Sequence, residues 1–226
     1  MNTLNTVAPD HTSSLNRCSS HPTPALSAAL SSQADQELEK WQQDRKHWED
    51  ALPVLGWLSH CLTLQPVEQP GFTTVSTDGR YLYFCPVYSA TLTDTERRFW
   101  HAHLIWHCVA GHLYAPLGVH AHRWHLACDH EINSLLLALD VPLSDNAVLF
   151  PARCGHSALQ VYHWLADHPS PQSESTPDIH PAALWLYGAS ALADSALIAL
   201  WRRRAHLAAR EIPALPTMVA AFCVSR

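Results

Sequence analysis

Apolar residues recur every three or four positions over several stretches of this chain, and that spacing predicts α-helices. The first stretch covers residues 33–64 and is interrupted at Pro53, which predicts either two helices or one kinked helix. A long apolar stretch over residues 181–209 carries three arginines near its end, the charge that the C-terminus of a helix favours. These stretches predict a chain that is mainly helical.

Two further long helices are predicted in the middle of the chain. Thr93 and Glu96 have the spacing of a capping box, so a helix should begin at residue 94 and extend to about residue 114. Helical spacing returns over residues 122–139 and, more briefly, over residues 157–166. The middle of the chain therefore continues the helical pattern.

Two short β-prone segments, residues 72–76 and 81–85, flank the sequence TDGR at residues 77–80. An Asp-Gly pair between two such segments is typical of a tight hairpin turn, because glycine accepts positive φ angles. We therefore predict an α+β class: a mainly α fold with a small β-hairpin or sheet beside the helix of residues 94–114.

Composition divides the chain into four segments. Residues 1–33 are rich in serine, threonine, proline and asparagine, and we expect them to form a disordered leader. Residues 34–168 are expected to form the main domain, and residues 169–179, rich in proline and serine, an exposed loop. Residues 180–226 are expected to form a helical segment that packs on the same domain.

The overall composition predicts a globular, cytoplasmic protein. Apolar residues make up 47% of the chain, and the formal charge of −6 leaves no basic surface for nucleic acid. Seven scattered cysteines without a CxxC pair are typical of reduced thiols, and the N-terminus lacks the pattern of a secretory signal. The most apolar run, residues 184–201, contains Asp194, so we expect a buried helix there rather than a membrane span.

Histidines provide the candidate chemistry, since seventeen are present and many lie between His101 and His130. His103 and His107 are four residues apart on a predicted helix, so both imidazoles leave one face and can reach a single ion. In the zincin motif HExxH, a glutamate follows the first histidine and activates a metal-bound water. Here that position is Leu104, which has no proton-accepting group.

A zinc site on this helix needs at least one more protein ligand. Asp129 on the following helix is the preferred candidate, because an antiparallel helix can present its carboxylate to both histidines. His125 and Asn133 share the face of Asp129 and could orient it. His112 is an alternative ligand if Gly111 ends the helix.

Several other polar residues stay open as alternatives. Asp178 and His180 could approach the site from the C-terminal half, and a loop or helix-cap role is the competing interpretation. Glu131 could replace the missing base, but it lies about 200° around the helix from Asp129. The neighbouring histidines are expected mainly at the surface or behind the ligands: His101, His120, His122 and His130.

Three blocks in the middle of the chain resemble a known family. They are TDGRYLYFCP, TLTDTERRFWHAHLIWHCVAGH and WHLACDHEINSLL, in that order, within residues 71–151. This order resembles the bacterial metallopeptidase-like domain that is commonly found ahead of a von Willebrand A-like domain. Members of that family combine a DG hairpin, an HExxH helix that ends in GH, and a following helix with the pattern W..A.D..IN.

The resemblance implies a zincin-like fold that binds one zinc ion. It implies that His103 and His107 are zinc ligands, that Asp129 serves the metal, and that Asn133 belongs to the signature of the second helix. Leu104 departs from the family's glutamate, which implies an impaired or inactive peptidase. Family members are often associated with MoxR-type AAA+ ATPases, so the resemblance also implies such an ATPase as a partner.

Three functions compete on the sequence alone. The first is a zinc-dependent, peptidase-like hydrolase whose metal is held by His103, His107 and Asp129. The second is a pseudoenzyme that binds a protein or peptide partner through the former cleft, and Leu104 is its main support. The third is a structural helical protein whose histidines bind no metal. None of them involves nucleic acid or a membrane.

Overall fold

A computed structural model of the chain describes residues 24–116, 118–170, 195–212 and 215–224, with side chains from residue 32 onward. Its helices are α1 (Pro24–Ala51), α2 (Pro53–Ser59), α3 (Pro86–Ser89), α4 (Asp94–Ala110), α5 (Ala121–Ala138), α6 (Ala158–Asp167), α7 (Ser195–Glu211) and α8 (Thr217–Val224). Its strands are β1 (Thr63–Pro66), β2 (Val75–Thr77) and β3 (Tyr81–Phe84), and a short 3₁₀ turn covers Pro151–Arg153. The prediction of a mainly α fold with a small sheet is confirmed.

The first predicted helical stretch forms two helices, because the chain leaves the helical conformation at Leu52 and Pro53 starts α2. A Cβ atom on Gly56 would lie 2.6 Å from the Cα atom of Glu49, so the absence of a side chain lets α2 pack directly on α1. Helix α1 begins at Pro24, earlier than the helical stretch predicted from residue 33. Its first turns are rich in alanine and leucine, whose helix propensity outweighs that of the serines.

The sheet contains the predicted hairpin and one strand that the sequence pattern did not indicate. Strands β2 and β3 pair antiparallel, and β1 pairs parallel with β3, which gives the order β1-β3-β2. In the turn, Gly79 has a φ of 82°, and the carboxylate of Asp78 accepts hydrogen bonds from the backbone N–H groups of Arg80 and Tyr81. No local pattern marks residues 63–66 as a strand, because their pairing depends on partners distant in sequence.

The main core lies between the sheet and helices α1, α2, α4 and α7. Its largest fully buried side chains include Trp41, Trp106 and Trp201, one each from α1, α4 and α7. The indole Nε1 of Trp201 donates a hydrogen bond to the backbone oxygen of Gly79, 2.8 Å away. Helix α7 therefore packs against the hairpin turn and closes one side of the core.

A second apolar cluster lies between α5 and α6. It includes Trp124 from α5, Val161 and Leu165 from α6, and Phe150 from the connecting segment. His130 holds that segment in place, because it accepts a hydrogen bond from the backbone N–H of Phe150 and donates one to the backbone oxygen of Arg153. Burial lowers the pKa of His130, so the neutral ring is favoured in this position.

Of the expectation that His101 and His130 lie mainly at the surface or behind the ligands, the surface placement is wrong, since both are fully buried. The ring of His101 packs edge-on against Trp41, and neither ring nitrogen has a hydrogen-bond partner among the described residues. Burial lowers the pKa of His101 to about 3, which keeps the ring neutral. Helix α4 is buried on nearly every side. The spacing of its histidines along the helix therefore does not predict which other elements they contact.

Helix α4 begins at the predicted capping box, in which Thr93 and Glu96 bind each other's backbone N–H groups. It ends at Ala110, because Gly111 takes the left-handed conformation with a φ of 77°. The helix is tied to α1 by a buried ion pair in which Arg97 Nε lies 2.6 Å from Asp44 Oδ2. These contacts fix the position of the helix that carries the candidate ligands.

None of the six cysteines within the described ranges forms a disulfide bond. Residues 184–194 of the most apolar run lie outside those ranges, and the rest of the run forms the start of α7. Across the part of the chain that the structure describes, no helix has the length and apolar character needed to cross a membrane.

Candidate metal centre

Helices α4 and α5 supply the candidate ligands. His103 and His107 lie one turn apart on α4, and Asp129 lies on α5. His103 contacts Asn133, whereas the later His107 contacts the earlier Asp129. The two helices therefore run antiparallel, as the sequence predicted for a helix that presents its carboxylate to both histidines.

The three side chains converge on one point. The Nε2 atoms of His103 and His107 are 2.9 Å apart, and Asp129 Oδ1 lies 3.5 Å from His107 Nε2. One ligand atom from each residue lies within 4.8 Å of the others, and His103, His107 and Asp129 are only 2%, 1% and 7% exposed. This buried cluster could hold a metal ion, because it combines two imidazole nitrogens with a carboxylate.

His103 is held by a polar contact on the side of the ring away from His107. Its Nδ1 donates to Asn133 Oδ1 at 3.0 Å, and Asn133 Nδ2 donates to the backbone oxygen of Val148 at 3.0 Å. The second bond fixes which end of the amide faces the histidine, so Asn133 orients His103 rather than Asp129. With the proton on Nδ1, a neutral His103 ring presents the lone pair of Nε2 to the cluster.

His112 lies behind His107 rather than in the cluster. Because α4 ends at Gly111, the chain turns and brings His112 Nδ1 to 3.1 Å from His107 Nδ1. His112 Nε2 in turn lies 3.0 Å from Glu131 Oε2. Glu131, considered from the sequence as a replacement base, is thus linked to His107 through the ring of His112.

Leu104, at the position of the HExxH glutamate, is fully buried in the main core. The neighbouring Cys108 is also buried, and its Sγ lies 3.8 Å from the hydroxyl oxygen of Thr77. Burial raises the pKa of the Cys108 thiol, so it stays protonated and acts as a small apolar group. Helix α4 therefore directs Leu104 and Cys108 into the core.

Three other residues suggested by the sequence are His125, Asp178 and His180. His125 is half-buried on α5, one turn before Asp129. His180 and its neighbour Asp178 lie outside the described residues.

The fold and this cluster define a helical, metallopeptidase-like domain with a candidate metal centre. The model of a family described as "Putative metallopeptidase domain" matches residues 37–180, and the chain belongs to that family. The matched residues include all three strands and the helices that carry His103, His107 and Asp129. Neither the curated proteins nor the solved structures gave a match.

Proposed function

We propose that this chain is a zinc-binding, metallopeptidase-like domain whose peptidase activity is impaired. The observation that carries the proposal is the convergence of His103 Nε2, His107 Nε2 and an Asp129 carboxylate oxygen at one buried point. Two imidazoles and a carboxylate are a common set of zinc ligands in hydrolytic sites. Harder cations such as Mg²⁺ prefer sites made of oxygen atoms, so zinc suits this set better.

The spacing of the two imidazoles supports a cation between them. Their Nε2 atoms are 2.9 Å apart, and the lone pair of His103 points at His107 because Asn133 holds its proton on the other nitrogen. In a tetrahedral zinc site with Zn–N bonds of about 2.0–2.1 Å, two such nitrogens lie about 3.3 Å apart. The rings would need to separate by only a few tenths of an ångström, so the residues fit the ion.

Zinc in such a site can polarise a substrate carbonyl and lower the pKa of a bound water. The chain's own contribution is limited at the next step, because Leu104 cannot accept a proton. Loss of a general base typically costs about 10²- to 10⁴-fold in rate. We therefore expect peptide cleavage to be slow or undetectable even with zinc bound.

The metal content of the protein tests the first half of this proposal. We expect about one zinc per chain by elemental mass spectrometry, in protein purified without a histidine tag and without added metal. His107→Ala should lose the zinc, whereas His122→Ala, which removes an exposed histidine of α5, should keep it. Wild-type protein without zinc, even after equilibration with the ion, would refute the site.

The activity of the zinc-loaded protein tests the second half. Across a broad peptide library, we expect cleavage at or near the level of the His107→Ala variant. Cleavage that stops on adding a chelator and is absent from that variant would show that the peptidase is intact.

A second role, as a protein-interaction module, is supported by the way Leu104 is built into the fold. Leu104 is 0% exposed and packs in the main core, so leucine at this position stabilises the fold. A domain that keeps this leucine in place of a general base could still bind a partner without cleaving it. A MoxR-type AAA+ ATPase is the proposed partner, on the family resemblance. Titration of the zinc-loaded chain with a purified ATPase of that type should give saturable binding, and an absence of binding at micromolar concentrations would reject this role.

A further inference from the structure

We infer that Glu131 and His112 form a positioning pair that holds the ring of His107 with its Nε2 atom toward the metal. The inference rests on the proposed zinc site and adds two residues to it. Neither belongs to the three-residue cluster: His112 contacts His107 at Nδ1, the ring nitrogen away from His103, and Glu131 contacts His112 Nε2. Their effect on the metal would pass through the orientation and the tautomer of the His107 ring.

The direction of the hydrogen bonds follows from the carboxylate. An ionised carboxylate only accepts hydrogen bonds, so His112 Nε2, 3.0 Å from Glu131 Oε2, carries a proton. A neutral His112 then has a lone pair on Nδ1, and the contact of 3.1 Å to His107 Nδ1 requires His107 to donate. With its proton on Nδ1, His107 presents the lone pair of Nε2 to the cluster.

The backbone places His112 for this role. Gly111 ends α4 in the left-handed conformation, and the N–H group of His112 then donates to the backbone oxygen of His107 at 3.0 Å. The ring of Trp124 from α5 packs edge-on against His112, with ring centroids 6.2 Å apart. His112 is thus held to His107 through both its backbone and its side chain.

Burial strengthens the hydrogen bond between His112 and Glu131 by excluding water from it. The side chains of His112 and Glu131 are 4% and 6% exposed, so their hydrogen bond lies where water cannot easily replace it. A hydrogen-bond acceptor behind a ligating imidazole fixes its tautomer and the orientation of its ring. Asn133 does this for His103, and the pair His112 and Glu131 does it for His107.

Zinc affinity tests the inference when it is measured by competition with a chelator of known affinity. Loss of such a supporting partner typically lowers metal affinity about 10- to 100-fold, which we expect for Glu131→Ala and for His112→Ala. Glu131→Gln should stay close to the wild type, because the amide oxygen can still accept the proton of His112.

A matched control separates this effect from a general loss of stability. Glu37 is another buried carboxylate, 2% exposed, and it accepts a hydrogen bond from Ser89 in the main core. Glu37→Ala should destabilise the fold and leave zinc affinity unchanged. Equal zinc affinity in Glu131→Ala and wild type would overturn the inference and leave the zinc site standing, whereas no zinc in the wild type would overturn both.

The tautomer itself can be read in metal-free protein. In ¹⁵N-histidine-labelled protein, we expect His107, identified by its loss in His107→Ala, to carry its proton on Nδ1. Glu131→Ala should shift His107 toward a mixture of tautomers, and Glu131→Gln should restore it. An unchanged His107 tautomer in a folded Glu131→Ala variant would contradict the positioning role.

Discussion

Leu104 contributes to the stability of the fold through its burial in the main core. It is fully buried, it belongs to the main core, and it directly follows a candidate metal ligand. A glutamate at this position, which would create the HExxH pattern, would place a carboxylate among apolar side chains. The substitution therefore changes the stability of the domain as well as its chemistry.

We expect Leu104→Glu to lower the free energy of unfolding by at least about 3 kcal/mol, since it combines the loss of a packed leucine with a buried charge. Leu104→Met keeps the volume and should cost less than about 1.5 kcal/mol. Urea unfolding of the three proteins measures both differences. A Leu104→Glu variant as stable as the wild type would show that the core can open at this position.

Asp44 is a second residue on which the position of α4 depends. Its carboxylate is 0% exposed and accepts hydrogen bonds from Arg97 and from Arg98. Removing it leaves the buried guanidinium of Arg97 without its main partner, so Asp44→Ala should destabilise the fold by about 3–5 kcal/mol.

Asp94 is the matched control, because it also pairs with Arg97 but its side chain is 69% exposed. Asp94→Ala should cost less than about 1 kcal/mol. Thermal unfolding followed by circular dichroism distinguishes the two variants. Similar losses would mean that burial of Asp44 contributes little to the ion pair.

At the level of elements, the turn that ends α4 positions His112 beside the candidate metal centre. Gly111 has a φ of 77°, and a Cβ atom added to it would have nothing within 4 Å, so a side chain there meets strain but no clash. Gly111→Ala should cost about 1–2 kcal/mol in stability. Because it also disturbs the turn that carries His112, it should lower zinc affinity.

Gly71→Ala is the control that separates the effect of backbone strain from the effect of displacing His112. Gly71 has a φ of 94°, it also has open space around it, and it lies in the segment before β2. Gly71→Ala should lose similar stability with unchanged zinc affinity. The same chelator competition measures both variants, and equal zinc affinities would show that His112 does not depend on the end of α4.

Local signals made several of these elements predictable from sequence. The capping box at Thr93, the Asp-Gly turn at Gly79 and the spacing of His103 and His107 each depend on residues close together in the chain. The pairing of the two histidines with Asp129 followed because two consecutive helices commonly pack antiparallel.

Other features depend on contacts that no local pattern encodes. The parallel pairing of β1 with β3 joins segments separated by a loop, and the burial of His101 depends on Trp41 in another helix. The sequence does not reveal the link from Glu131 to His107, because it gives only the angle between Glu131 and Asp129 around α5 and not the position of His112 between the two helices. The sequence GH after α4 was its one signal, since Gly111 turns His112 back toward His107.

At the scale of the whole molecule, the metal is expected to act on stability. An ion that binds only the folded state stabilises it by about 2.7 kcal/mol when its free concentration is 100 times the dissociation constant. Zinc at that level should therefore raise the free energy of unfolding, and a chelator should reverse the gain.

His107→Ala should show neither effect of zinc or chelator, and Mg²⁺ should leave the wild type unchanged because it prefers oxygen ligands. Differential scanning calorimetry with and without each ion makes the comparison. A zinc-dependent stabilisation of equal size in His107→Ala would place the bound ion elsewhere on the chain.

The bond from Trp201 to the backbone of Gly79 joins positions 122 residues apart. Contacts between such distant segments form late, because a long loop must close before they contribute. During synthesis at about 5–20 residues per second, Trp201 is made roughly 6–24 s after Gly79. For that interval the nascent chain exposes the apolar surface that Trp201 later covers, and it is then most in need of a chaperone.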